Sequence, residues 1–297
     1  MSQSSSPKRG ASQWAVAWRR FRRNKSGLIG SAMVIFFLLV ALVGPFVVAY
    51  PARSYRSLYE GDSGTGPSFK HPFGVEDSGI DVFSETVNAA KNDLYVGLAA
   101  TLITTLIGVA VGALAGYFKG VVSDVLLGVT QMFFVIPVLL LILLFARVFS
   151  VLVFKGLGLT LIVLILSFFG WSGIAFIVRG ETFRLKEMEF VQAARSLGAG
   201  SFRLLFRHIV PNILSPVIVI ATLDIAGFIL TEVVVSFLGF GDPNTSTWGL
   251  LLNEGFSYVR TSWWVSFFPG LAVVFCVLGF NLMGDGLSDA LNPRLRE

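Results

Sequence analysis

The residues of this chain that could do chemistry are few, and most stand among apolar neighbours. Asp224 and Glu232 lie eight positions apart inside one hydrophobic run, with Ser236 one helical turn further on. Eight residues are close to two turns, about 12 Å, so a helix would carry both acids on one side. An acid at mid-bilayer costs roughly 2.5–3.5 kcal/mol, so each needs a partner or a wet cavity. Two uses are open. That side could line a polar pathway or an interface with a second membrane subunit, with Asp224 meeting an amine or other polar group. Alternatively the acids bond between helices, with Glu232 near the outer interface. A third use, as proton relays of an ion-coupled carrier, is disfavoured because six spans without an evident inverted repeat do not suit that architecture. Elsewhere the chemistry is sparse. His71 and His208 are far apart and outside any ligand-spaced cluster, so no zinc site is expected. Cys276 is the single cysteine and sits in an apolar run, so the chain has no internal disulfide. No Gly-x-x-x-x-Gly-Lys-Ser/Thr phosphate cradle occurs, and no Ser/His or Cys/His pair supports an embedded enzyme. This chain is not expected to be an enzyme or to hold a cofactor of its own.

The elements that must position the acids are membrane helices. Of 297 residues, 54% are hydrophobic and 14% charged, against about 25% charged in a soluble domain. Six runs reach the roughly 20 apolar residues that a crossing needs: Leu28–Ala49, Leu94–Gly116, Val121–Phe149, Leu157–Val178, Ile213–Val235 and Val265–Met283. The third is long enough to need tilt or a break at Pro137. Sixteen of the 23 basic residues fall on one face: Lys8, Arg9, Arg19, Arg20, Arg22, Arg23 and Lys25, then Lys119, then Arg179, Arg184, Lys186, Arg195, Arg203 and Arg207, then Arg294 and Arg296. The positive-inside rule places that face, and both termini, in the cytoplasm. The same distribution argues against nucleic acid as the partner of a chain with net charge +5. The first run exceeds a signal peptide's apolar core, so it is expected to remain as an anchor.

The organisation expected is therefore an all-α membrane protein with six transmembrane helices. Residues 1–27 form a basic cytoplasmic segment, 28–49 the anchor helix and 50–93 an extracytoplasmic loop. Residues 94–284 form a five-helix core with a cytoplasmic loop at 180–208 and an outer loop at 239–264, and 285–297 a cytoplasmic tail. In the first outer loop Ile80–Asp93 reads as a short amphipathic helix. In the second, Trp248, Trp263 and Trp264 suit the headgroup level. Gly108, Gly112 and Gly116 form a small-residue row suited to close helix packing.

The cytoplasmic loop is the most informative. Glu181–Leu197 can form one helix, which Gly198-Ala199-Gly200 ends. Ser201 can cap a second helix whose Phe202, Leu205, Phe206 and Ile209 share an apolar face opposite Arg203 and Arg207. From pattern alone this hairpin either docks a partner or lies on the membrane surface.

Within that loop, Gln192-Ala193-Ala194-Arg195-Ser196-Leu197-Gly198 followed by His208-Ile209-Val210-Pro211 resembles the EAA loop of binding-protein-dependent ABC importers, with Gln192 where that family carries Glu. Further motifs are similar to the C-type permeases of its dipeptide/oligopeptide (nickel) branch. They are Arg20-Phe-Arg-Arg-Asn-Lys25, His71-Pro-Phe-Gly74 with Asp77 and Asp81, Ser236-Phe-Leu-Gly239, Trp248-Gly249, and Phe280 through Arg296. The branch usually has Arg where this chain has Ile80 and Glu85.

The resemblance implies a type I importer (MetI-like) permease fold and a subunit that pairs with a B-type permease. Two ATP-binding subunits would dock beneath and bind ATP and Mg, and an extracytoplasmic solute-binding protein would dock above. Membrane lipid surrounds the whole. Glu189, Gln192, Ala193, Ala194, Arg195, Gly198 and Arg203 would be the residues that couple to the ATPases. The branch leaves the solute open among peptide, oligosaccharide and nickel.

Overall fold

The computed structural model describes residues 13–52, 62–135, 137–148 and 158–291. Lys8, Arg9, Arg294 and Arg296 of the basic face lie outside these residues, as do Phe149 and Leu157 at the edges of two expected spans. Among the described residues the chain is helical, with one isolated bridge between Val75 and Asp81.

Ten helices are used below. They are α1 (Gln13–Phe21), α2 (Lys25–Val47), α3 (Val82–Tyr117), α4 (Val121–Val135), α5 (Val138–Val148), α6 (Gly158–Leu185), α7 (Glu189–Ser196), α8 (Ser201–Phe237), α9 (Trp248–Phe256) and α10 (Trp264–Leu291). Five of them, α2, α3, α6, α8 and α10, are long and apolar enough to cross a membrane. The third expected span is broken at Pro137, where α4 and α5 meet at 82°. With 15 and 11 residues, neither half spans about 30 Å alone.

Close packing fixes the helix directions. A Cβ on Gly108, Gly112 or Gly116 of α3 would fall within 3 Å of Ile174, Ala175 and Thr182 of α6 respectively. Both series of numbers rise together, so α3 and α6 are parallel neighbours, and the small-residue row is their contact as expected. Between Tyr117 and Gly158 the chain must therefore return across the whole length of the bundle, and the broken pair α4–α5 lies on that return. It counts as the sixth crossing. By contrast α2 runs antiparallel to both α3 and α10, because Gly44 meets Val87 while Gly27 meets Gly286. The start of α2, the ends of α3 and α6 and the end of α10 consequently share one face of the bundle.

Several expected boundaries move. The helix expected over Ile80–Asp93 begins at Val82 and leads into the second span without a break. Asp81 caps α3 by accepting from the Ser84 N–H at 2.8 Å, and α3 runs unbroken for 36 residues, about 54 Å, well beyond the bilayer. Trp248 is not a headgroup anchor: it is fully buried, edge-on to Phe37 of α2. Trp263 remains half exposed, as an anchor would. The segment before α3 folds into a cap on the start of α10. Phe73 stacks on Phe268 at 4.1 Å, and Trp264 Nε1 donates to the Val75 carbonyl.

Candidate functional site

The loop at 180–208 does form a hairpin, but with different joints. The end of α6 absorbs residues 181–185, so Glu181–Leu197 is two helices rather than one. The cause is Lys186, whose side chain turns inward and donates to the Gly116 carbonyl at 2.8 Å, capping the end of α3. Its ammonium also lies 4.2 Å over the Phe183 ring. Burial, and then the neighbouring Lys119 cation, pull the Lys186 pKa below the usual lysine value. Nothing in the spacing of the loop singled this residue out. It is the rivet between the hairpin and the bundle.

After α7 the chain reverses at Gly198, which has φ +83°. The Gly198 N–H bonds the Arg195 carbonyl and the Ala199 N–H bonds the Ala194 carbonyl, the paired bonds of a Schellman turn. Only glycine adopts that φ without strain. The second arm begins at Ser201, but its N-cap is Gly200 and no Ser201 side-chain bond caps it. Residues Leu204–Ile209 then widen into a π turn, in which the Val210 N–H reaches back to the Leu205 carbonyl. Pro211, lacking an N–H, follows directly.

That π turn overturns the expected stripe. Leu205 and Ile209 point inward with Leu204, into a core that also holds Val191, Leu185, Val178 and Tyr117. Phe202 and Phe206 point outward, stacked on each other at 6.3 Å. One side of the hairpin is thus packed on the ends of α3 and α6. The other presents Phe190, Leu197, Phe202 and Phe206 uncovered.

The expected coupling residues distribute between these sides. Glu189, Ala193, Arg195, Gly198 and Arg203 are exposed. Gln192 is half-buried, and its side-chain amide donates to the Lys186 carbonyl at 3.2 Å and to Glu187 at 3.3 Å, both within the chain. Ala194 is half-buried and packs against the hairpin's own core. Of the two alanines, only Ala193 faces fully outward.

The second cluster lies toward the end of the bundle opposite the hairpin. Glu232 and Ser236 are enclosed in this conformation by α3, α8 and α9, with Ser236 Oγ donating to Glu232 Oε1 at 2.6 Å. Opposite stands Asp93 of α3, equally buried, whose Oδ2 accepts from the Trp248 N–H at 3.0 Å. Asp93 Oδ1 and Glu232 Oε2 meet no N–H or hydroxyl donor. The two carboxyl groups stand close enough to interact, each within reach of a hydrogen placed on the other. Around them the start of α9 is fastened to α3. Trp248 Nε1 donates to the Thr86 carbonyl at 2.9 Å, Asn92 donates to the Ser246 carbonyl at 2.7 Å, and Ser246 Oγ donates to Glu85. Gly249 lets α9 approach α8, since a Cβ there would stand 2.4 Å from the Val233 carbonyl. Glu85, one of the two departures noted in the sequence, is thereby a buried acceptor in this clamp.

Asp224 is separate from that cluster. It is half-buried on α8 and makes no hydrogen bond or ion pair among the described residues. Gly227 and Thr231, at i+3 and i+7 on the same side, are also open. The two acids expected on one side of a helix are therefore in different surroundings, one sealed within the chain and one on an uncovered flank.

Comparison with known proteins adds to this geometry. The profile described as binding-protein-dependent transport system inner membrane component matches residues 108–297. The chain belongs to that family. A second profile, the N-terminal TM domain of oligopeptide transport permease C, matches residues 12–60. The dipeptide transport system permease protein DppC of Bacillus subtilis (strain 168) is 36% identical over 282 residues, covering 94% of this chain and 85% of that protein. The oligopeptide transport system permease protein OppC of the same organism is 35% identical over 291 residues, covering 98% and 92%. The glutathione transport system permease protein GsiD of Escherichia coli O6:K15:H31 (strain 536 / UPEC) is 35% identical over 285 residues, covering 95% and 91%. The family carries the type I permease fold expected from the sequence, and its first helix is covered by the permease C profile.

Proposed function

We propose that this chain is the C-type transmembrane permease of an ATP-driven importer that carries di- or oligopeptides, or solutes of similar size, across the plasma membrane. The solute class rests on the relatives, whose names specify dipeptide, oligopeptide and glutathione transport. ATP and Mg belong to two separate ATP-binding subunits, a B-type permease completes the pathway, and a solute-binding protein delivers the solute from outside. The face shared by the start of α2 and the end of α10 is cytoplasmic, in keeping with its basic residues.

One observation carries the coupling role: a hairpin rigidly packed on the ends of two parallel spans leaves Phe190, Leu197, Phe202 and Phe206 uncovered next to the exposed Ala193. A rigid lever of this kind transmits a rigid-body rotation when a partner moves its free side. Ala193 suits close approach because it lacks bulk. The flank of α8 bearing Asp224, Gly227 and Thr231 is assigned to the pathway or to the B-type permease.

The test uses the complete importer in proteoliposomes. Ala193→Trp is expected to lower ATP-driven uptake by roughly tenfold or more, as a bulky residue at the centre of an interface does. Its thermal stability in the isolated chain should be unchanged. Normal uptake in that variant would remove the hairpin from the coupling path. Uptake abolished by an uncoupler yet indifferent to ATP would replace the importer with an ion-coupled carrier.

A further inference from the structure

The short helix α1 has no role in the mechanism above, yet it is built with two distinct sides. Ala17 and Phe21, one turn apart, are buried. The Phe21 ring lies against Gly27 of α2 and Gly286 of α10, at contacts that a Cβ on either glycine would crowd to 3.0–3.2 Å. Asn24, in the turn that follows, caps α2 and also donates to Asp289 of α10 at 2.9 Å. Helix α1 is thus fixed at the level where one apolar span begins and another ends, which is the level of the bilayer surface.

Its remaining surface is not covered by the chain. Val16 and Trp18 are exposed, Trp18 at 56%. Arg19, Arg22, Arg23 and Lys25 are exposed around them, and none makes an ion pair among the described residues. Arg20 is half-buried and engaged within the chain. The Arg22 guanidinium lies 4.9 Å over the Trp18 ring, which also stacks on Phe21. An amphipathic indole beside several guanidinium groups, at the end of an apolar span, matches what the interface of an anionic leaflet offers: an apolar boundary topped by phosphodiesters. Guanidinium pairs with phosphate through two parallel N–H bonds, and a zwitterionic headgroup would set its own cation against these residues.

We propose that α1 is a binding platform for anionic phospholipid headgroups, with Arg19, Arg22 and Arg23 on the phosphates and Trp18 at the acyl boundary. The platform tethers the α2–α10 contact to the leaflet and does not depend on which solute the importer carries.

The full chain, purified from nanodiscs of equal parts phosphatidylglycerol and phosphatidylcholine, tests this by native mass spectrometry of the lipids it retains after a detergent wash. Wild-type chain should retain phosphatidylglycerol in excess over phosphatidylcholine, by on the order of fivefold per engaged cation. The triple variant Arg19→Gln, Arg22→Gln, Arg23→Gln should fall to the bulk ratio while keeping its wild-type melting temperature, since these side chains are exposed. A control that removes three cations elsewhere, Lys91→Gln, Arg184→Gln and Arg260→Gln, should keep the excess. Retention of both lipids in the bulk ratio by the wild-type chain would overturn the proposal. So would an excess that survives in the triple variant, or that the control loses equally, because the preference would then follow net charge rather than α1.

Discussion

The hairpin at one end of the bundle and the clamp at the other both bring distant segments together, but they do so with opposite materials. The hairpin's inner side is apolar, filled by Leu204, Leu205 and Ile209, while its outer side leaves Phe202 and Phe206 uncovered among exposed charges such as Arg195 and Arg203. The clamp is polar and closed. Glu85, Asp93, Glu232, Ser236, Ser246 and Thr247 are all buried, and their bonds run from α3 to α9 or within α8. An uncovered apolar surface outside the lipid gains by finding a partner. A sealed polar cluster gains nothing from one and fixes a single arrangement of the helices around it. The difference sets a surface left open to its surroundings against a joint closed on itself, although the residues that drew attention in the sequence occur in both.

If the clamp is the holding joint, breaking it should have the largest effect. Trp248→Ala removes a fully buried side chain together with its bond to the Thr86 carbonyl. A loss of about 3–5 kcal/mol is expected, from the cavity and the orphaned carbonyl together. Unfolding of the purified chain in detergent, followed by circular dichroism against temperature, should show a large downward shift. A midpoint within a degree or two of wild type would mean that α9 is not held where it stands.

The Asp93–Glu232 contact sharpens the same point. Asp93→Ala would leave the Trp248 N–H without its acceptor and the Glu232 carboxyl with Ser236 alone, at a cost of about 2–3 kcal/mol. Asp93→Asn keeps an oxygen for Trp248 and adds an N–H that Glu232 can accept, so it should cost under about 1 kcal/mol. The two substitutions remove the same carboxyl, but only the asparagine keeps its shape and hydrogen-bonding capacity. Equal destabilisation would show that loss of the carboxyl itself, and not its hydrogen bonding or its volume, matters at this position.

Lys186→Met tests the hairpin's fastening. It preserves the length and most of the apolar stem but removes the donor to the Gly116 carbonyl. The expected cost is about 1–2 kcal/mol, the range for losing a charged hydrogen-bond donor. Uptake by the assembled importer should fall further than stability does, because a loosened lever still folds. If uptake is unaffected, the hairpin does not need to be rigid.

How much of this could be seen in the sequence depended on the kind of signal. Spans were legible from run length, and a close helix contact from Gly108, Gly112 and Gly116, because both signals are local and periodic; that the partner is α6 was not. The break at Pro137 was legible for the same reason. The joints within the hairpin were not: Lys186 reads like any other loop cation until the carbonyl it caps, 70 positions away, is known. The π turn before Pro211 hid the division of Phe202 and Phe206 from Leu205 and Ile209, because a 3.6-residue period does not hold across a widened turn. Trp248 matched the interfacial type of residue, and only the long-range bonds to Thr86 and Asp93 reveal it as buried. Glu232 was singled out correctly as an acid in need of a partner. Its partner Asp93 went unnoticed at a helix boundary, drawn there because Ile80–Asp93 looked amphipathic.

The smallest effect on stability should come from the hairpin's outer side, and it separates the two regions most cleanly. Phe202 and Phe206 touch each other, and Phe202 touches Phe118, but both are more than half exposed. Replacing either with Ala removes little buried area, so the isolated chain should unfold within about 0.5 kcal/mol of wild type. In the assembled importer the same side chains would lie under a partner, and their loss should weaken association of the ATP-binding subunits, measured by co-purification from detergent at increasing salt. The double variant is the stricter case, because each ring shields the other and a single substitution leaves one in place. A double variant that keeps both its stability and its partner would leave this face without a function, and the contrast with the clamp would then be one of burial alone.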